Sequence, residues 1–314
     1  MSTPTTTSSA PPAAPALELP SAKLAPTREG FTTGPDGTRL YVRRRGEGPV
    51  SAVFCDGILC DGFIWKYLWD EVAERMPVAH FHYRGHGRSA APLDPEAVGM
   101  DTLARDTDAV RRYLGDPGVV LFGHSMGCQV AIEACRVRPD KVRGLVLLCG
   151  SFGRVTETFK GTRILADLLP RVIEAVSPRE GLARALWSRL PSELAVKFTL
   201  LAREVDPKHI RPEDMLPYMQ HLSHVDLPMF LRMLRGAGEH DAEEFLPHIK
   251  CPVLIVAGER DSFTPAYLSE QMAKKIPGAE LLFVPGGTHV TPLEQRDLVH
   301  LRIDKFLRDR VLSR

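Results

Sequence analysis

No apolar run in the chain approaches the roughly 20 residues that a helix needs to cross a bilayer, so no transmembrane segment is expected. Charge of either sign is not in excess. Forty Lys and Arg face 39 Asp and Glu, a formal net of +1. That balance gives no overall pull toward nucleic acid or an anionic membrane. No Cys-x-x-Cys pair occurs among Cys55, Cys60, Cys128, Cys135, Cys149 and Cys251. Several of these lie in or beside segments that read as buried. They are expected to be free packing thiols in a reducing compartment, the cytoplasm, and not a disulfide framework. Residues 1–28 lack periodic apolar content and are rich in Ser, Thr, Pro and Ala. Such a segment cannot offset its ordering entropy by burial and reads as a disordered tail. It also lacks the basic start and apolar stretch of a secretory leader, with no basic side chain before Lys23.

What is present centres on Gly123-His124-Ser125-Met126-Gly127, which follows the apolar run Val119 to Phe122. This is G-x-S-x-G between a strand-like and a helix-like segment. Its glycines allow a sharp turn that lifts the serine hydroxyl above the end of a sheet. Ser125 is therefore a candidate nucleophile. A neutral hydroxyl needs a histidine to take its proton and a carboxylate to orient that histidine. Asp261 follows the strand-like Pro252 to Ala257, and His289 follows the strand-like Ala279 to Val284. In a parallel sheet such loops gather at the carboxyl edge. Ser125, Asp261 and His289 can therefore meet although they are far apart in the chain.

These segments, with the turn Tyr83-Arg84-Gly85-His86-Gly87-Arg88-Ser89, resemble the α/β-hydrolase superfamily in its capped, Ser-Asp-His form. The resemblance runs from about residue 30 to the C-terminus. It implies Ser125 as nucleophile, Asp261 as acid and His289 as base. It implies an oxyanion hole from the backbone N–H groups of Met126 and Ile58. The family's His-Gly before the second donor is Asp56-Gly57 here. Asp56 either holds the loop by accepting backbone hydrogen bonds or sets a negative charge near the anion; the structural role is expected. The serine at 125 argues against the dehalogenase and epoxide-hydrolase branches, which use aspartate there.

The alternation of elements predicts an α/β fold, a mostly parallel doubly wound sheet with helices on both faces and an inserted all-helical cap. A hairpin over residues 31–44 opens it, a helix spans 63–75, and a closing helix spans 292–312 with Leu298, Leu301, Ile303, Phe306 and Leu307 among its apolar positions. The division is a tail over 1–28, core over 29–152, cap over 153–249 and core over 250–314. In the cap, helices are expected over 160–176, 178–190, 191–205 and 211–235, with apolar and Met side chains such as Leu165, Leu168, Met229, Phe230 and Met233 shaping a pocket. His80 and His82 share a strand face, a spacing that suits a metal. Without an accompanying ligand cluster no metal is assigned. His86 reads as structural, and His124 as the variable position before the nucleophile.

The expected function is a cofactor-independent serine hydrolase acting on a small-to-medium apolar ester. Thioester or carbon–carbon bond hydrolysis, acyl transfer and haloperoxidase-like chemistry use the same parts. A catalytically dead module that binds a small molecule under the cap is the alternative from another class. The sequence sets neither the substrate nor the oligomeric state.

Overall fold

The computed structural model describes residues 21–187 and 226–313, with residues 189, 205, 209–211, 213–215 and 218. The eight described strands form one sheet in the order β1-β2-β4-β3-β5-β6-β7-β8. They are β1 Thr27–Thr33, β2 Arg39–Arg45, β3 Val50–Cys55, β4 Val78–Phe81, β5 Gly118–His124, β6 Val142–Leu148, β7 Val253–Gly258 and β8 Glu280–Val284. β1 and β2 form the antiparallel hairpin, and β2 is antiparallel to β4. All pairings from β4 through β8 are parallel.

The central strands are apolar on both faces because both faces are covered. On β5, Val119 and Leu121 join the cluster that includes Val130, Ala131 and Met272, whereas Val120 and Phe122 join the one with Trp65, Ile303 and Phe306. Side chains two apart share a face, so a continuous apolar run feeds two cores. The first face carries α2 (Met100–Tyr113) and α3 (Met126–Val137), and the second carries α1 (Leu68–Ala73).

The helix expected over 63–75 is broken. A 3-10 turn at Phe63–Trp65 precedes α1, and both pieces are largely buried. The break lets the Trp65 indole aim at Asp56 while Leu68, Trp69 and Val72 stay packed in the core. The tail expectation also changes at its end. The Ala22 N–H donates to the Ala73 carbonyl at 2.8 Å, Ala22 is buried, and Thr27 and Arg28 already belong to β1. Residues 1–20 lie outside the described residues.

Between β6 and β7 run α4 (Val155–Thr158), α5 (Ile164–Val176), α6 (Glu180–Trp187) and α7 (Leu227–Glu239). The helix expected from Lys160 begins only at Ile164, because Lys160 takes a left-handed φ of 52° in a 3-10 turn. α7 begins later than expected and runs on to Glu239. Asp226 caps it by accepting from the Met229 N–H at 2.9 Å. Gly236 and Gly238 do not stop it. A Cβ at Gly238 would lie 2.4 Å from Thr156 Oγ1, so the glycine is there for close packing on α4. Residues 191–204 of one expected helix and most of 211–225 lie outside the described residues. An isolated bridge between Gly153 and Asp241 joins the two ends of this insertion.

The chain closes with α8 (Ala266–Lys275), α9 (Thr291–Glu294) and α10 (Arg296–Phe306), followed by one π turn at Leu307–Val311. The single closing helix is therefore three pieces. The buried positions of α10 are Val299, Ile303 and Phe306, one narrow face at spacings of four and three, and Leu307 of the π turn is buried as expected. Leu298 and Leu301 lie off that face and are 42% and 68% exposed.

Candidate active site

Ser125 sits between β5 and α3 with φ 56° and ψ −122°. A non-glycine residue in such a region costs about 1–3 kcal/mol and persists only where its surroundings over-determine it. Here they do. The Ser125 N–H donates to the Leu148 carbonyl at 3.1 Å, and the Ser125 carbonyl accepts from the Cys128 N–H at 3.0 Å. A Cβ at Gly123 would lie 2.5 Å from the Gly127 carbonyl oxygen, and one at Gly127 would lie 2.1 Å from that of Cys55. Both glycines of the motif are thus required by close backbone approach.

Asp261 and His289 come together as the spacing of strand ends predicts. His289 Nδ1 lies 3.0 Å from both carboxylate oxygens of Asp261. A carboxylate only accepts, so Nδ1 carries the proton and the lone pair is on Nε2. Asp261 is itself fixed by the N–H groups of Phe263 and Thr264 and by the Thr264 hydroxyl, at 2.8–3.0 Å. The buried Glu294 carboxylate accepts from the Thr288 N–H at 3.0 Å and from its hydroxyl at 2.7 Å, which pins the backbone next to His289. The Phe263 ring lies 4.9 Å from the His289 ring at 33°, and Phe159 meets Phe263 edge-on at 5.1 Å.

Met126 is the first residue of α3, so its N–H has no partner within the helix. Ile58 follows Gly57, which packs against the turn that carries Ser125: a Cβ at Gly57 would lie 3.1 Å from Ser125 Cβ. Asp56 holds this loop by a route other than the expected backbone hydrogen bonds. Its partners are side chains, Trp65 Nε1 at 2.6 Å and His80 Nε2 at 2.8 Å. Burial opposes its charge, but His80, His82 and Trp65 outweigh that and keep the carboxyl below its ordinary range. His80 is thereby occupied, and His82 Nδ1 accepts from the Arg88 N–H at 2.8 Å. His86 is buried and turns Nδ1 toward the Arg84 carbonyl at 3.2 Å.

Ser125 opens on a cavity of about 470 Å³. Ile58 and Met126 line it beside the serine; Leu165, Leu168, Leu169 and Val172 of α5 and Phe230, Leu231 and Leu234 of α7 line it from above. Met229 and Met233, expected in the wall, are instead buried in the main core. A Cβ at Gly85 would lie 1.9 Å from Met229 Sδ, so the Arg84-to-Ser89 turn is the surface on which α7 seats.

The alpha/beta hydrolase family model matches residues 52–300. The chain belongs to that family. It is a hydrolytic enzyme, and its relatives include named lipases and esterases. Over 240 residues this hydrolase is 39% identical to lipase LipV of Mycobacterium tuberculosis, covering 74% of this chain and 82% of that one. Over 276 residues it is 29% identical to polyketide synthase ThaQ of Burkholderia thailandensis, covering 87% of this chain but only 12% of that one. The esterase of Exiguobacterium antarcticum superposes with a TM-score of 0.71 at 21% identity, covering 89% of this chain and 99% of that one. Among the described residues of the hydrolase, no helix is long and apolar enough to cross a membrane, and none of its six cysteines is in a disulfide.

Trp65, Phe263 and Glu294 are site residues that sequence reading missed. Trp65 and Glu294 act through side-chain hydrogen bonds to nearby Asp56 and Thr288, and Phe263 through the orientation of its ring against His289, none of which a residue pattern marks. His124, buried beside the His289 carbonyl, is the fourth.

Proposed function

We propose that this hydrolase cleaves carboxylic esters with an apolar acyl group, through Ser125, His289 and Asp261. The observation that carries the reading is the Asp261–His289 hydrogen bond, together with a strained serine that opens on an apolar cavity. Nε2 of His289 takes the Ser125 proton as Oγ bonds to the ester carbonyl carbon. The N–H groups of Met126 and Ile58 stabilise the oxyanion. Collapse breaks the bond to the alkoxide, which leaves with the proton from Nε2. Water then gives a proton to Nε2, attacks the acyl-enzyme and releases the acid and Ser125.

The helices of residues 153–249 are read as a cap that excludes water and sizes the acyl pocket. No cofactor or metal is invoked, and the partner is a small apolar ester. Cysteines outside any disulfide suit a cytoplasmic enzyme.

A series of p-nitrophenyl esters of increasing acyl length tests this. Wild type should show a length optimum, and Ser125→Ala should lose about 10⁴-fold or more in kcat. Equal rates in both proteins would remove Ser125 from the chemistry.

A further inference from the structure

His124 precedes the nucleophile and shares the sheet face of Val120 and Phe122, four and two residues back. Its imidazole is buried. Nε2 lies 2.9 Å from the main-chain carbonyl oxygen of His289. A carbonyl only accepts, so Nε2 carries the proton and Nδ1 is a bare lone pair. Nδ1 has no hydrogen-bond partner among the described residues. It faces the oxyanion loop, since a Cβ at Gly57 would lie 3.2 Å from it. The ring is 4.9 Å from the His289 ring, and Trp65, the partner of Asp56, meets it edge-on at 6.3 Å. One side chain therefore touches the base loop and the oxyanion loop while its backbone belongs to the nucleophile turn.

We propose that His124 is a positioning residue that registers the His289 loop against Ser125, through the hydrogen bond from its Nε2–H to the His289 carbonyl. The inference rests on the reading of Ser125 and His289 as nucleophile and base. An apolar residue of the same bulk would fill the space but leave the His289 carbonyl without this donor. Burial and the neighbouring His289 push the imidazole down to about 3, so it stays a neutral single donor at working pH. The bond acts on the backbone of the base, leaving Asp261 to fix its ring. Misplacement of a catalytic group by about 1 Å is enough to cost on the order of 100-fold in rate.

The test compares His124→Leu, His124→Gln and Ser125→Ala in steady-state ester hydrolysis and thermal unfolding. Gln places an amide N–H at the same number of bonds from Cβ as His Nε2. Leu should lower kcat about 10- to 100-fold with KM within about twofold. Gln should recover most of kcat, whatever the two melting temperatures. Wild-type kcat in Leu, or equal loss in Leu and Gln tracking their melting temperatures, would overturn the proposal. Full activity in Ser125→Ala would overturn the triad reading and this inference with it. An inert Ser125→Ala beside a wild-type-like His124→Leu would overturn this inference alone.

Discussion

Asp56 Oδ2 and His80 Nε2 lie 2.8 Å apart with both side chains fully buried, and Trp65 donates to the other carboxylate oxygen. The pair lies under the loop that carries Ile58. Removing the carboxylate leaves the buried N–H groups of Trp65 and His80 without an acceptor. Asp56→Ala should therefore lower the unfolding free energy by about 2–6 kcal/mol, read from urea denaturation. A change below about 1 kcal/mol would mean that His80 and Trp65 are satisfied without it.

The nucleophile turn has no room for side chains at its glycines. Gly127→Ala would drive a Cβ to 2.1 Å from the Cys55 carbonyl oxygen, where backbone must move. It should unfold the enzyme or abolish ester hydrolysis. Gly181, exposed in α6 with nothing within 4 Å of its added Cβ, is the contrast. Gly181→Ala should keep full activity and raise stability by about 0.5–1 kcal/mol. Equal tolerance at both positions in an activity and melting assay would contradict this account.

Leu165 of α5 lines the cavity above Ser125. Leu165→Trp adds bulk to a space of about 470 Å³. The acyl-length optimum in the p-nitrophenyl ester series should move to shorter chains, with the shortest esters little affected. An unchanged optimum would place the acyl group elsewhere.

Arg84 is buried and forms ion pairs with Asp106 at 2.7 Å and Asp36 at 2.8 Å. Burial works against the charge of Asp36, but Arg84 and Thr38 hold its carboxyl at about 2, below the ordinary 3.8. A carboxyl lowered on folding contributes stability above its unfolded value, and loses it as pH falls through the folded one. The stability gap between wild type and Asp36→Asn should hold steady above about pH 4 and close between about pH 4 and pH 2. A gap independent of pH would mean that the carboxylate charge contributes nothing.

The strands and the nucleophile turn were legible because their signals are local. Val119 to Phe122 is a continuous apolar run, and it reads as a strand covered on both faces. The meeting of Asp261 with His289 followed from two strand ends on one edge of a parallel sheet. The partners of Asp56 were not legible, because Trp65 reaches it from a 3-10 turn that interrupts the expected helix and His80 from a neighbouring strand. His124 read as a variable position because its hydrogen bond is to a backbone atom far along the chain. The closing helix misled because Leu298 and Leu301 fit an apolar list without falling on the buried face.

The central claim is that Ser125 is a nucleophile activated by His289. Wild-type enzyme and His289→Ala would each be treated with an active-site fluorophosphonate, digested, and mapped by mass spectrometry. The account predicts one phosphonyl adduct, on Ser125 of the wild type, formed far more slowly in His289→Ala. An unlabelled Ser125 in folded wild type, or an adduct that forms equally fast without His289, would contradict it.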